Sequence, residues 1–276
     1  MPTSLYQYTC VADGETAISA LQSASTLSKS RIKDAMNKGA VWLQRGSKNR
    51  RLRRATAPLQ SGDRLSLYHD PEVLALTPAI PELLSDEKHY SIWVKPAGLL
   101  AQGTREGDHC SLLRQAELQL HRDVFLVHRL DREVVGLMLI AHSPKAAAAF
   151  SSLFARDESQ RNPQNSKLGK YYLAQVRGQA PSSGEITLPV EGKPALTYFK
   201  CLSYDPQSNA SMLEVELITG RKHQIRRHLA ESGWPVLGDP AYGENNRDNR
   251  GLQLYATGLE FTCPLTHKAR SFTFSP

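Results

Sequence analysis

Cysteine is scarce and spaced against chemistry. Cys10, Cys110, Cys201 and Cys263 lie far apart and form no Cys-x-x-Cys pair. That excludes the usual zinc-ribbon spacing and supplies no disulfide framework, so they read as small buried hydrophobes. Long apolar runs are missing as well. None approaches the roughly 20 residues that span a bilayer, and the opening MPTSLYQYTC lacks the apolar heart of a secretory signal. The expectation is a soluble, cytoplasmic protein with no membrane partner. No Gly-x-Gly-x-x-Gly, Walker-type phosphate loop, His-Glu-x-x-His or Gly-x-Ser-x-Gly occurs, which removes the simplest signs of dinucleotide, nucleotide, zinc-protease or hydrolase chemistry. His223 and His228, five apart, fall on different faces of a helix, so no metal site is assigned.

The chain does carry an excess of positive charge. Over 276 residues the formal net charge is +7 and the pI about 9.2, which points to a polyanionic partner without specifying a fold. The length suits one large domain with a small companion. Charge is concentrated early: Lys29 to Arg54 holds ten Lys or Arg and one acid, Asp34. Ser28 reads as an N-cap, Ile32, Ala35 and Met36 as a helical apolar stripe, and Gly39 as its stop. Val41-Trp42-Leu43 and the alternating Arg64–Tyr68 read as strands. Such a stripe is either a solvated face or a footprint for phosphates. Its candidate contacts are Lys29, Arg31 and Lys33 on the helix and Arg50, Arg51, Arg53 and Arg54 after Trp42.

Residues 1–72 thus form a small domain. Pro71–Pro81 holds three prolines, Pro71, Pro78 and Pro81, and no strong period, so residues 73–88 read as a linker and 89–276 as the main domain. In the latter, Ile92–Val94, Tyr172–Val176, Ala195–Tyr204 and Met212–Ile218 read as strands. Ser111–Leu120 and a segment opened by Ser143-Pro144 read as helices, and Asp157–Lys167 as an exposed loop. Strands outnumber helices, so the fold class is α+β with a mainly antiparallel or mixed sheet.

The densest signal is 128–141, HRLDREVVGLMLIA. Here a charged cluster runs into a short apolar stretch that suits a strand buried on both faces. Asp131 stands just before that strand between Arg129 and Arg132. A carboxylate there is costly to desolvate without a cationic partner. On physical grounds alone it is either a structural ion pair or a functional carboxylate.

His-Arg-Leu-Asp followed by Gly136, Leu137 and Ala141 resembles the catalytic motif of RluA-type RNA pseudouridine synthases. Val134-Val135 stand where that family usually has Thr-Ser. Three more segments resemble the family in order: Tyr90–Gln102 with Lys95-Pro96-x-Gly98, Lys170–Ala174 with Gly178, and Thr219–Gly243 with Gln224-Ile225-Arg226. The resemblance runs from about Tyr90 to the C-terminus. The N-terminal domain resembles, more loosely, the S4 RNA-binding domain, with a basic insertion over Arg45–Arg54.

The resemblance implies isomerisation of uridine in RNA without cofactor. Asp131 would be the catalytic carboxylate, as nucleophile at C1′ or as a base. Arg226 would be its ion-pair partner, holding it in a planar fork, and Tyr172 would be the aromatic against the base, with Tyr171 a competitor. His128, Arg129, Arg221, Lys222 and Arg227 would contact RNA. Ribosomal RNA of the large subunit is the favoured substrate and tRNA the alternative. A non-catalytic RNA-binding assembly factor is the competing class. No protein partner is implied, and a monomer is expected.

Overall fold

The computed structural model describes residues 3–159 and 168–276. By backbone contacts the chain divides into two compact units, one of residues 1–79 and 102–119, the other of 80–101 and 120–276. Helix Leu112–Leu120, placed by the sequence in the main domain, thus falls almost wholly in the first unit.

The first unit contains β1 (Ser4–Thr9), α1 (Ala17–Ala24), α2 (Lys29–Asn37), β2 (Val41–Arg45), β3 (Lys48–Arg51), β4 (Arg64–His69), α3 (Pro71–Ala75) and α4 (Leu112–Leu120). Its four strands form an antiparallel sheet in the order β1-β4-β2-β3. Ser28 caps α2 by accepting from the Arg31 amide. Ile32, Ala35 and Met36 are fully buried against Leu43, Leu65 and Leu67 of the sheet, so the apolar stripe supplies the core. The basic insertion begins as a hairpin, with Arg45 opposite Lys48. The expected linker is also structured. Asp70 caps α3 through the Glu72 and Val73 amides, with Pro71 at the first position.

The second unit adds β5 (Glu82–Asp86), β6 (Tyr90–Lys95), β7 (Phe125–Leu126), β8 (Val135–Ala141), α5 (Pro144–Ser159), β9 (Leu168–Arg177), β10 (Ser183–Ile186), β11 (Thr197–Asp205), β12 (Ala210–Leu217), α6 (Gln224–Glu231), β13 (Leu254–Thr262) and β14 (Ala269–Thr273). Ten strands form one sheet, ordered β10-β11-β12-β9-β13-β8-β6-β5, with β14 on β13 and β7 on β8. All pairs are antiparallel except β13–β8. Part of the loop expected over Asp157–Lys167 is helical, because α5 runs through Ser159; 160–167 lie outside the described residues. No described helix is long and apolar enough to cross a membrane.

Strand β8 is buried from Gly136 to Ala141, which is why it reads as an unbroken apolar run. At its start Gly136 has φ +130°. A Cβ there would collide with the backbone of Ala256. The glycine therefore lets β13 come alongside β8 just where the Asp131 loop enters the sheet.

Candidate active site

The Asp131 loop is tied down from beneath. Lys95, fully buried at the end of β6, donates from Nζ to the carbonyls of Pro96 (3.0 Å), Leu99 (2.9 Å) and Arg132 (3.1 Å). Burial pushes its pKa down to about 8, against the pull of Glu133 and Asp131. The Gly98 amide donates to the Arg132 carbonyl at 2.8 Å, and Arg132 Nε returns a bond to the Gly98 carbonyl at 3.1 Å. The turn at Lys95-Pro96-x-Gly98 and the Asp131 loop are thus bolted together through backbone. That accounts for the loop keeping its shape with Val134-Val135 in place of hydroxyls. Val134 is buried, and its amide reaches the Asp131 carbonyl at 3.3 Å.

Opposite this loop, α6 brings in Arg226. Gln224, buried, accepts from Thr219 Oγ1 (2.8 Å) and the Arg221 amide (3.0 Å) and donates to the Leu196 carbonyl (3.0 Å) and Thr197 Oγ1 (2.9 Å). Every polar atom of that amide is used, and the entry to α6 is fixed. Arg226, 2% exposed, donates from Nη1 to Asp131 Oδ2 at 3.2 Å. Its planar fork goes elsewhere: Nε and Nη2 each bond Asp239 at 2.7 Å. The expected fork onto Asp131 is therefore a single bond, and Asp239 holds the guanidinium. Burial works against the charge on Arg226, but the Asp239 bonds and then Asp131 outweigh it, and its pKa lies above the ordinary value.

A cavity opens here, with Arg129, Asp131, Tyr172, His223 and Arg226 in its wall beside the apolar Leu217 and Leu254. On β9 the strand alternation decides between the two tyrosines. Tyr172, 9% exposed, faces the cavity, whereas Tyr171 covers Gly169 and Gly258. Burial, then the nearby Asp131, push the Tyr172 pKa up. His223 Nε2 stands 3.7 Å from Asp131 Oδ2. Burial lowers its pKa, with Asp131 opposing and Arg226 adding to the fall.

The other sequence candidates are scattered. Arg129 is exposed at the cavity. His128 turns inward: its Nε2 accepts from the Leu139 amide at 2.9 Å and its ring stacks on Phe154 at 4.3 Å. Burial, then Lys170, push its pKa down to about 3, so it stays neutral. Arg227 bonds Tyr242 (2.9 Å) and Glu191 (2.9 Å), Arg221 bonds the Pro194 carbonyl (3.2 Å), and Lys222 is exposed. In the first unit Lys29, Arg31, Lys33, Arg50 and Arg54 are exposed. Arg51 and Arg53 instead pair with Asp108 at 3.0 and 2.5 Å, and Arg51 lies over the Trp42 ring at 4.3 Å. Sequence reasoning gave no role to Asp239 or Tyr242; their only signal was their place in the last motif.

Residues 89–231, just over half the chain, match the RNA pseudouridylate synthase family, and the chain belongs to it. Among individual relatives, it is 34% identical over 203 residues to an uncharacterized RNA pseudouridine synthase of Chloroflexus aurantiacus, a match covering 65% of this chain and 60% of the relative. It is 30% identical over 190 residues to ribosomal large subunit pseudouridine synthase D of Nitrosomonas europaea, covering 62% and 52%. These matches span less than two thirds of those relatives' own length. The solved structure of human RNA pseudouridylate synthase domain containing 1 has the same fold: TM-score 0.59 at 21% identity, covering 73% of this chain and 86% of that one.

Proposed function

We propose that this chain is an RNA pseudouridine synthase, isomerising uridine in RNA with Asp131 as the catalytic carboxylate. One observation carries the reading. The Asp131 carboxylate stands in a cavity wall, 3.2 Å from a buried arginine and across from a buried tyrosine. Arg226 holds the carboxylate in place through one hydrogen bond, and Asp131 acts on the ribose of the target nucleotide. The uracil then parts from C1′ at N1 and rejoins through C5, which gives up its proton while N1 gains one. Nothing is oxidised and no phosphate is consumed, so no cofactor is called for. Tyr172 supplies a flat apolar face for the base. Its raised pKa keeps the hydroxyl protonated near neutrality and speaks for a packing and donor role rather than a basic one. A base inside an RNA stack must be extruded first, at a cost of a few kcal/mol. Arg129, exposed beside the cavity, is suited to fill the gap it leaves.

Large-subunit ribosomal RNA is the proposed substrate. Support comes from the first unit, read as an S4-like RNA-binding domain. It displays Lys29, Arg31 and Lys33 on the exposed side of one helix and Arg50 and Arg54 on the neighbouring hairpin and its exit. A relative named for the ribosomal large subunit points the same way. The test is tritium release from RNA labelled at uridine C5, with 23S ribosomal and tRNA transcripts assayed side by side. Asp131→Asn is expected to abolish release while leaving RNA affinity within about threefold, since an uncharged isostere removes no phosphate contact. Release by Asp131→Asn at the wild-type rate would refute the assignment.

A further inference from the structure

His223 lies outside every role assigned so far. It precedes α6 with φ +55°, a left-handed backbone that turns its ring into the cavity beside Asp131. Its two nitrogens face different groups. Nδ1 is 3.0 Å from the Tyr242 hydroxyl, and Nε2 is 3.7 Å from Asp131 Oδ2. Tyr242 is itself committed: its oxygen accepts from Arg227 Nε at 2.9 Å, and its ring lies 5.2 Å from the Arg226 guanidinium.

The donor count selects one tautomer. With one lone pair of the Tyr242 oxygen taken by Arg227, its hydroxyl proton is free to point at His223 Nδ1. The ring proton then sits on Nε2, facing a carboxylate. The opposite tautomer would aim a bare nitrogen lone pair at that carboxylate and turn the tyrosine proton away from the imidazole. The lowered pKa of the ring keeps it neutral, so this choice holds near pH 7. The chain Arg227 to Tyr242 to His223 thus delivers one oriented N–H toward Asp131. At 3.7 Å the contact is too long for a hydrogen bond in the free protein, and such contacts close when substrate fills the site.

We propose that His223 is a positioning residue of the isomerisation. Resting on the synthase reading above, its Nε2–H and Arg226 Nη1 converge on Asp131 Oδ2 and leave Oδ1 as the oxygen presented to the sugar. Among the described residues Oδ1 accepts no hydrogen bond, whereas Oδ2 has both the arginine and the imidazole as neighbours. A carboxylate held by one oxygen keeps one rotamer, which is what attack at a single carbon requires.

Three measurements test this on the full chain. Nitrogen-15 spectra of the free protein are expected to show His223 neutral with its proton on Nε2; a proton on Nδ1 would overturn the proposal whatever the enzyme does. In the tritium-release assay His223→Asn, whose side chain tolerates a left-handed backbone but ends near the Nδ1 position, is expected to lose 10- to 100-fold in kcat, roughly what a hydrogen bond to a charged group contributes. KM should stay within about twofold. His223→Gln places an amide N–H near the Nε2 position and is expected to recover to within about fivefold of wild type. An Asn variant as fast as wild type, or a Gln variant as slow as Asn, would overturn the positioning role. Wild-type protein that releases no tritium from either RNA would refute the synthase reading and the proposal resting on it, while the spectra would still report the tautomer.

Discussion

Replacing Asp239 by asparagine strikes the group that holds Arg226 without itself lining the cavity beside Asp131. Its carboxylate, without exposed side-chain surface, accepts Arg226 Nε on Oδ2 and Arg226 Nη2 with the Ala241 and Tyr242 amides on Oδ1. All four partners are donors. An asparagine must put an NH₂ against one of them, so it loses that bond, adds a repulsion and leaves a buried guanidinium with one of its two carboxylate partners made neutral. Breaking one side of a buried ion pair costs on the order of 3 to 5 kcal/mol. For a unit of about 180 residues that lowers Tm by roughly 6 to 20 °C. Arg226 also loses the fork that aims Nη1 at Asp131, so kcat should fall about 10- to 100-fold at a temperature where the variant is still folded. Thermal unfolding followed by circular dichroism, with tritium release on the same preparation, measures both. A variant that melts within 2 °C of wild type would show that the fork does not hold the arginine. Full activity with a large loss of stability would show that Arg226 does not need it to serve Asp131.

Two further outcomes follow from the geometry. Lys95 has a folded pKa of about 8, against 10.5 in an unfolded chain. Between those values the unfolded chain binds more protons, so this group's contribution to stability rises with pH, by about 1 kcal/mol per unit. The wild-type unfolding free energy, compared with that of Lys95→Met by urea denaturation from pH 8 to 10, is expected to gain by that slope; a constant difference would mean the ammonium is not desolvated. In the first unit, Arg50→Gln with Arg54→Gln should weaken RNA binding and flatten its salt dependence without changing Tm. Arg51→Gln with Arg53→Gln should lower Tm because Asp108 loses both partners. Filter binding at several salt concentrations separates the two pairs, and equal salt slopes for both would refute the division.

What the sequence disclosed tracks how local the cause is. β8 was legible because burial on both faces writes an unbroken apolar run, and α2 because Ser28 and its stripe are neighbours in the chain. α3 and β5 were passed over because three prolines suggested a linker, although Asp70-Pro71 is itself a helix-start signal. β13 was missed because Gly258 and a register shift after Ala256 interrupt its alternation. In the candidate site, the residues of the four segments could be named through resemblance. The hydrogen bonds between them could not, since Arg226 meets Asp131 across 95 positions and no pattern within a segment encodes that distance. The same blindness let Arg51 and Arg53 pass for a phosphate-binding surface, because the acid that neutralises them is carried more than fifty residues later.

The parallel seam between β8 and β13 sets the order in which this molecule becomes competent. Tyr255 lies beside Val135 and Ala256 beside Gly136, so the carboxylate loop gains its neighbouring strand only from residues made about 120 positions later. A nascent chain emerging from the ribosome holds Asp131, Tyr172 and then Arg226 in turn, yet the sheet that carries them is not continuous until that late strand slides between β8 and β9. Contacts of such sequence separation form slowly. The candidate site is therefore the last part of the polypeptide to be completed, after the first unit has had time to mature.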